Sequence, residues 1–326
     1  MLLYSALLLI GFLMLFKSAD QFVIGSVTTA KNFHISPMLI GLTVVALGTS
    51  APEIFVAAAA SLRGEPELAV GNAIGSNIAN MGMVLGLTAI LVPLPFRPQM
   101  LKKDLPIMIF VTLCAGVALY DLKLGILDGV LLLFGLALFL GRVALEHRKE
   151  QSLELPELED VPVMTVSKSI ITLVVSLIFL LISAELLVYS VIGIAGQLGI
   201  SELIIGLTVI AVGTSLPELV VSITSVLKGQ TDMAIGNILG SNIFNILAVL
   251  AIPSFLAPST IEPAVLHRDY ALMLGMTLAI TLFAYGMSSR ARITRIEGCL
   301  LLAIWCIYIL TLYYSASTGN PITLPF

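Results

Sequence analysis

Glu53 lies in "VVALGTSAPEIFVAAAAS" (44–61), a stretch otherwise small and apolar, with no Lys or Arg within nine residues on either side. Glu218 has the same setting in "IGLTVIAVGTSLPE" (205–218). A carboxylate in such a run must be neutralised by a proton, a counter-charge or a bound cation. The residues around each glutamate favour the cation. Hydroxyls, carboxamides and main-chain carbonyls are hard oxygen ligands of the kind Na⁺ and Ca²⁺ require, and Ca²⁺ takes about six to eight of them at roughly 2.3–2.6 Å. Neither cluster contains His or Cys, which removes zinc and copper chemistry.

The spacing gathers these groups. Thr49, Ser50 and Glu53 fall at i, i+1 and i+4, and Ala46 precedes Thr49 by three, so a helix would carry all four on one broad face. Ala211, Thr214, Ser215 and Glu218 repeat that pattern. Ser76 and Asn80 are four apart, as are Ser241 and Asn245. Pro52 and Pro217 have no N–H, so the carbonyls of Gly48 and Gly213 lose their helical partner and the turn loosens. At membrane depth such irregular backbone is tolerated only where it lines a cavity or is buried in protein. Gly71-x-x-x-Gly75 and Gly236-x-x-x-Gly240 read instead as sites of close helix packing.

The elements that must position these groups are membrane helices. The chain is 58% hydrophobic and only 11% charged, with a mean hydropathy of +1.07, against about 25% charged in soluble domains. Apolar runs long enough to span a bilayer recur from end to end, and no alternating ten-residue segments suggest a β-barrel. Ten spans are expected, near 2–31, 36–62, 68–93, 104–120, 124–145, 167–195, 201–227, 233–257, 268–286 and 294–315. The first is read as a span rather than a leader, because no small-residue cleavage site follows it. With the N-terminus outside, the inner loops hold twelve Lys and Arg and the outer loops only Arg63, Lys123 and Arg268. That asymmetry places both termini outside.

Residues 146–166 form the longest hydrophilic stretch and are expected to be a cytoplasmic linker, too short for a domain of its own. Cys114, Cys299 and Cys306 sit in apolar spans without ligand spacing and are read as packing residues. Lys17 and Asp20, three apart, can pair, and Glu185 is the repeat counterpart of Asp20; a structural or gating role is expected for all three.

A shift of 165 residues superposes the halves. "IGLTVVALGTSAPE" (40–53) falls on "IGLTVIAVGTSLPE" (205–218), and "AVGNAIGSNIAN" (69–80) on "AIGNILGSNIFN" (234–245). From Ser36 to Asn80 there are 23 identities in 45 positions, many of them Gly, Thr, Ser, Pro, Glu and Asn rather than interchangeable aliphatics. Residues 1–145 and 167–326 are therefore read as two five-helix repeats. An odd number of spans inserts the second half upside down, the inverted-repeat plan of many transporters. It brings Glu53 and Glu218 face to face near the midplane.

GTSAPE…GNAIGSNIAN and GTSLPE…GNILGSNIFN resemble the two α-repeats of the sodium/calcium exchanger family. The resemblance implies four cation sites in a diamond. Glu53 and Glu218 would hold Ca²⁺ with main-chain oxygens of Thr49 and Thr214. Flanking Na⁺ sites would use Ala46, Ser50 and Ser76 on one side and Ala211, Ser215 and Ser241 on the other, with Asn80 and Asn245 completing the middle. It also implies antiport by alternating access, the first and sixth spans sliding over the other eight, with no cofactor and no nucleic-acid partner. It names no protein partner and is compatible with a monomer. Members often carry Asp where this chain has Asn245. Two carboxylates balance one Ca²⁺, so proton coupling or a K⁺ requirement stays open beside Na⁺. A channel could also use midplane carboxylates. An intramembrane protease would need GxGD or HExxH, and the sequence has neither.

Overall fold

The structure is a computed structural model that describes residues 2–150, 162–198, 211–285 and 291–318, excepting the side chains of 147–150, 211 and 316–318. The opening of the expected seventh span (201–210) and most of the expected linker (151–161) lie outside the described residues. What is described is helix, with four two-residue strands.

Helix α1 (Leu2–Phe33) is followed by α2 (Pro37–Thr49), α3 (Ala51–Leu62), α4 (Pro66–Leu91), α5 (Leu105–Leu119) and α6 (Ile126–Glu150). The second half contains α7 (Val166–Gln197), a short turn at Ala211–Gly213, then α8 (Leu216–Leu227), α9 (Thr231–Leu256), α10 (Ala271–Tyr285) and α11 (Arg295–Thr318). Six of these are long and apolar enough to cross a bilayer, seven if the bent pair α2–α3 counts as one span. Helices α5 and α10, 15 residues each, are lengthened at their starts by π-helical turns at Met100–Asp104 and Val265–Tyr270. The repeat thus extends to backbone irregularities, since these two turns begin 165 residues apart. So do the π-turns Asn80–Val84 in α4 and Asn245–Val249 in α9.

Two short antiparallel ribbons stitch the halves together. Leu94–Pro95 (β1) pairs with Arg292–Ile293 (β4), and Lys123–Leu124 (β2) with Ser259–Thr260 (β3). Each ribbon joins one loop from each half, and the two loops of each are those that the Lys and Arg distribution assigns to the same side.

The packing divides into two cores. Helices α1 and α7, each 32 residues and so about 48 Å long, pack along each other through Leu15, Ala19, Phe22, Leu173, Leu180 and Leu187. Ile40 and Val45 of α2, Val220 and Val221 of α8 and Met233 of α9 complete that cluster, and a larger core gathers α2–α6 and α8–α11. Helix α2 crosses α9 at glycines: a Cβ on Gly236 would stand 2.6 Å from the Met38 carbonyl, and one on Gly240 2.6 Å from that of Leu42. Removing the side chain there lets the two backbones touch.

Several expectations need correction. The packing role foreseen for the glycine pairs holds for Gly236 and Gly240, but among the described residues nothing comes within 4 Å of a Cβ at Gly71 or Gly75. Their counterpart contact would come from 201–210, outside the description. Lys17 does not pair with Asp20; Asp20 Oδ1 lies 2.6 Å from Lys228 Nζ, at the end of α8. Cys299 and Cys306 are exposed on α11 and Cys114 is only half-buried, so packing does not account for the first two. Finally, α6 runs five residues into the expected linker, to Glu150. An ion-pair cluster holds that end, with Arg142 on Asp104 (2.9 Å) and Glu146 (3.1 Å), and Lys103 on Glu146 (2.7 Å).

Candidate cation site

Each glutamate stands in the first turn of a helix that starts at a break. Helix α2 ends at Thr49, Ser50 takes φ −82° and ψ 9°, and α3 leaves at an angle of 41°. Ser215 takes nearly the same conformation, φ −89° and ψ 4°, before α8. Pro52 and Pro217 follow at the second helical position, where a missing N–H costs nothing. The single uninterrupted face expected for Ala46, Thr49, Ser50 and Glu53 is therefore not what forms. The chain breaks between Thr49 and Ala51, and the hydroxyls of Thr49 and Ser50 turn to the other half, toward Asn237 and Glu218. The break also leaves each carboxylate at a helix N-terminus, where the helix dipole favours negative charge.

Glu53 and Glu218 are fully buried, as are Thr49, Ser50, Asn80, Ser215, Asn237, Ser241 and Asn245. The two carboxyl groups are close enough to repel one another. Ser76 lies beside Glu53, and Thr49 and Ser241 lie beside Glu218. Ser50 Oγ donates to Glu218 Oε1 at 3.0 Å, a bond between the two halves. Thr49 Oγ1 donates to Asn237 Oδ1 at 3.1 Å, with the Ala46 carbonyl at 3.3 Å and the Ser241 hydroxyl at 3.5 Å. The π-turn that starts at Asn80 packs on α8, and the one that starts at Asn245 packs on α3, so each half sets its asparagine turn against the other half's glutamate helix. Thr214 is half-buried and makes no comparable bond; the side chain of Ala211 lies outside the described residues.

What these groups lack is as informative as what they make. Among the described residues, both oxygens of Glu53, Oε2 of Glu218, both amide atoms of Asn80 and of Asn245, and the Ser215 hydroxyl are buried without a hydrogen-bond partner. Most buried polar side-chain atoms in proteins are paired, and an unpaired one costs about 1–3 kcal/mol. These six orphaned oxygens are of the kind that hard cations take as ligands. Among the described residues no group of three or more His, Cys, Asp and Glu is gathered so as to hold a metal ion, so any cation here relies on hydroxyl, amide and main-chain oxygens beside the two carboxylates.

Two residues escaped the sequence reading. Asn72 Nδ2 donates to the main-chain carbonyl of Glu53 at 3.3 Å, and Asn237 Nδ2 to that of Glu218 at 3.4 Å. Asn237 also donates to Ser222 Oγ at 3.0 Å while accepting from Thr49. Each asparagine sits 19 residues after its glutamate and fixes the carboxylate's helix to the next one. The signal was available, since both belong to the repeated GN of the motif; helical spacing drew attention to Asn80 and Asn245 instead. Asn77 and Asn242 are also buried with an unpartnered Oδ1.

Comparison with known proteins agrees with the internal repeat. The model of the sodium/calcium exchanger protein family matches twice, over residues 3–144 and 168–314. The putative antiporter CaxA of Alkalimonas amylolytica is 44% identical over 97% of this chain and 100% of its own. The sodium/calcium exchanger MaX1 of Methanosarcina acetivorans is 32% identical over 94% and 98%. A solved structure of the sodium-calcium exchanger NCX_Mj, soaked with Na⁺ and Ca²⁺, superposes with a TM-score of 0.81 at 36% identity, covering 94% of this chain and 98% of that one.

Proposed function

We propose that this chain, which belongs to the sodium/calcium exchanger family, is a secondary antiporter that moves Ca²⁺ against Na⁺ by alternating access. It is a multi-pass membrane protein. In this reading its ten spans form two inverted five-helix repeats, with both termini outside. The observation that carries it is the set of orphaned oxygens of Glu53, Glu218, Asn80, Asn245 and Ser215, all on fully buried residues.

Charge explains why exchange would be obligatory. Two bare carboxylates facing each other in a low-dielectric interior are expensive to carry past a barrier. One Ca²⁺ balances both charges, and Na⁺ ions neutralise them as well. Only a loaded site can then switch sides, so the empty protein is held in place and transport of one ion requires return of the other. Glu53 and Glu218 hold the divalent ion. The hydroxyls of Ser50, Ser76, Ser215 and Ser241 and the carbonyls near Ala46 and Ala211 offer the flanking monovalent positions. Asn72 and Asn237 keep the two carboxylate helices in register with α4 and α9.

Asn245 leaves the site with two formal charges, so the counter-ion is the point to test. ⁴⁵Ca²⁺ uptake into proteoliposomes loaded with Na⁺ should exceed that into K⁺-loaded or acid-inside vesicles by at least about tenfold. Uptake driven equally by an outward proton gradient would move the protein to proton-coupled Ca²⁺ antiport on the same two glutamates. Flux without any counter-gradient would mark a channel.

A further inference from the structure

Four charged side chains stand outside the cation site and obey the repeat. Asp20 and Glu185 are equivalent at the 165-residue shift, and so are Arg63 and Lys228. Each acid lies on one of the two long helices, α1 and α7. Each base immediately follows a glutamate helix, Arg63 as the cap of α3 and Lys228 as the cap of α8. The reading of the first half therefore predicts the second: if Asp20 bridges from α1 to the end of α8, Glu185 should bridge from α7 to the end of α3.

Only the first bridge is formed. Asp20 Oδ1 and Lys228 Nζ are 2.6 Å apart. Arg63 and Glu185 are both exposed, and neither takes part in an ion pair among the described residues. An acidic side chain within a helix of membrane-spanning length is costly without a partner. Glu185 nevertheless stands at the position where the other half makes its pair.

The packing supplies the missing step. Helices α1 and α7 pack on each other far more extensively than on any other helix, and Ile40, Val45, Val220, Val221 and Met233 of α2, α8 and α9 complete their core. The Asp20–Lys228 pair adds a polar tie across that apolar seam. In an inverted repeat the two halves exchange conformations when access switches sides, so a contact held by one half in one state is held by the other half in the opposite state. We propose that Asp20–Lys228 and Glu185–Arg63 are alternating latches: the first is closed in the conformation described, and it opens as the second closes in the opposite-facing one. This rests on the alternating-access reading above. Partly exposed ion pairs bias an equilibrium by only about two- to fivefold. That suits a latch, because two matched weak bridges hold each state without trapping either.

The test uses full-length protein in lipid nanodiscs with Cys114→Ala, Cys299→Ser and Cys306→Ser. Spin labels go on Leu2→Cys, at the start of α1, and Leu62→Cys, at the end of α3, positions 90% and 74% exposed. Pulsed electron-spin distance measurement then reports the α1–α7 pair relative to the other helices. Lys228→Gln should shift the ratio of the two distance populations by about two- to fivefold away from the present state, and Arg63→Gln by a similar factor toward it. Combining them should return the wild-type ratio, and the charge swap Asp20→Lys with Lys228→Asp should undo the effect of Lys228→Gln. Shifts in the same direction, additive shifts in the double variant, no shift at all, or a swap that fails to restore the ratio would overturn the latch. The distance readout needs no transport. Absence of Na⁺-driven Ca²⁺ uptake in the wild type would instead defeat the functional reading.

Discussion

The GTSxPE turns of the two halves are close to identical in sequence and adopt nearly the same backbone, yet they hold different bonds. In the first half, Thr49 is fully buried and bonded to Asn237, and Ser50 reaches across to Glu218. In the second half, Thr214 is half-buried and the Ser215 hydroxyl has no partner. Glu218 has one oxygen bonded; Glu53 has none. The ion pairs divide the same way, with Asp20–Lys228 made and Glu185–Arg63 not. On the alternating-access proposal, equivalent residues in inequivalent surroundings are what one of two conformations should contain.

The comparison can be broken most completely at the carboxylates. Glu53→Gln and Glu218→Gln should each reduce Na⁺-driven ⁴⁵Ca²⁺ uptake by about a hundredfold or more, since one charge of the pair that balances Ca²⁺ is gone. Size-exclusion profiles should stay those of the wild type. Near-normal uptake by either variant would make that glutamate structural and the site one-sided.

A smaller effect should appear at the helix crossing. Gly236→Ala sets a Cβ about where the Met38 carbonyl lies, at 2.6 Å, and overpacking of this kind costs about 1–3 kcal/mol. A thermal melt reads the loss, and an unchanged melting temperature would show that the crossing has room for the added methyl group.

The asparagines sharpen the contrast further. Asn237 makes three side-chain bonds and Asn72 only one, and a net bond is worth about 1 kcal/mol. Asn72→Ala should therefore lower uptake about fivefold and Asn237→Ala by at least about tenfold, through weaker apparent Ca²⁺ affinity, with maximal rate less affected. The smallest difference should separate Ser50→Ala, which loses a bond to Glu218, from Ser215→Ala, which loses none. A two- to threefold rise in the half-saturating Ca²⁺ concentration is expected for Ser50→Ala alone; the reverse order would contradict the bonding pattern.

Much of the helical architecture was legible because the chain carries its motif twice. The ends of α1 and α7 follow from hydropathy, and the burial of Glu53 and Glu218 in matching turns follows from the 165-residue shift. The π-turns at Asn80 and Asn245 were not legible, since nothing in NMGMV or NILAV distinguishes a wide turn from a regular one. The break at Ser50 was half visible: Pro52 announced a loosened turn, but a helical wheel assumes a continuous helix. The Asp20–Lys228 bridge was missed because local spacing favoured Lys17, while the true partner lies 208 residues away in sequence. The asymmetry itself could not be read at all. Identical motifs predict identical geometry, and which half closes first is a property of the whole bundle rather than of any segment.

The central claim is that Na⁺ and Ca²⁺ compete for one pair of buried carboxylates. Equilibrium ⁴⁵Ca²⁺ binding to the purified protein, titrated with Na⁺ at constant ionic strength, tests it most directly. The account predicts one Ca²⁺ per chain, displaced completely by Na⁺ but not by K⁺, and no binding when Glu53→Gln and Glu218→Gln are combined. Ca²⁺ binding that is indifferent to Na⁺, or that survives loss of both carboxylates, would contradict it.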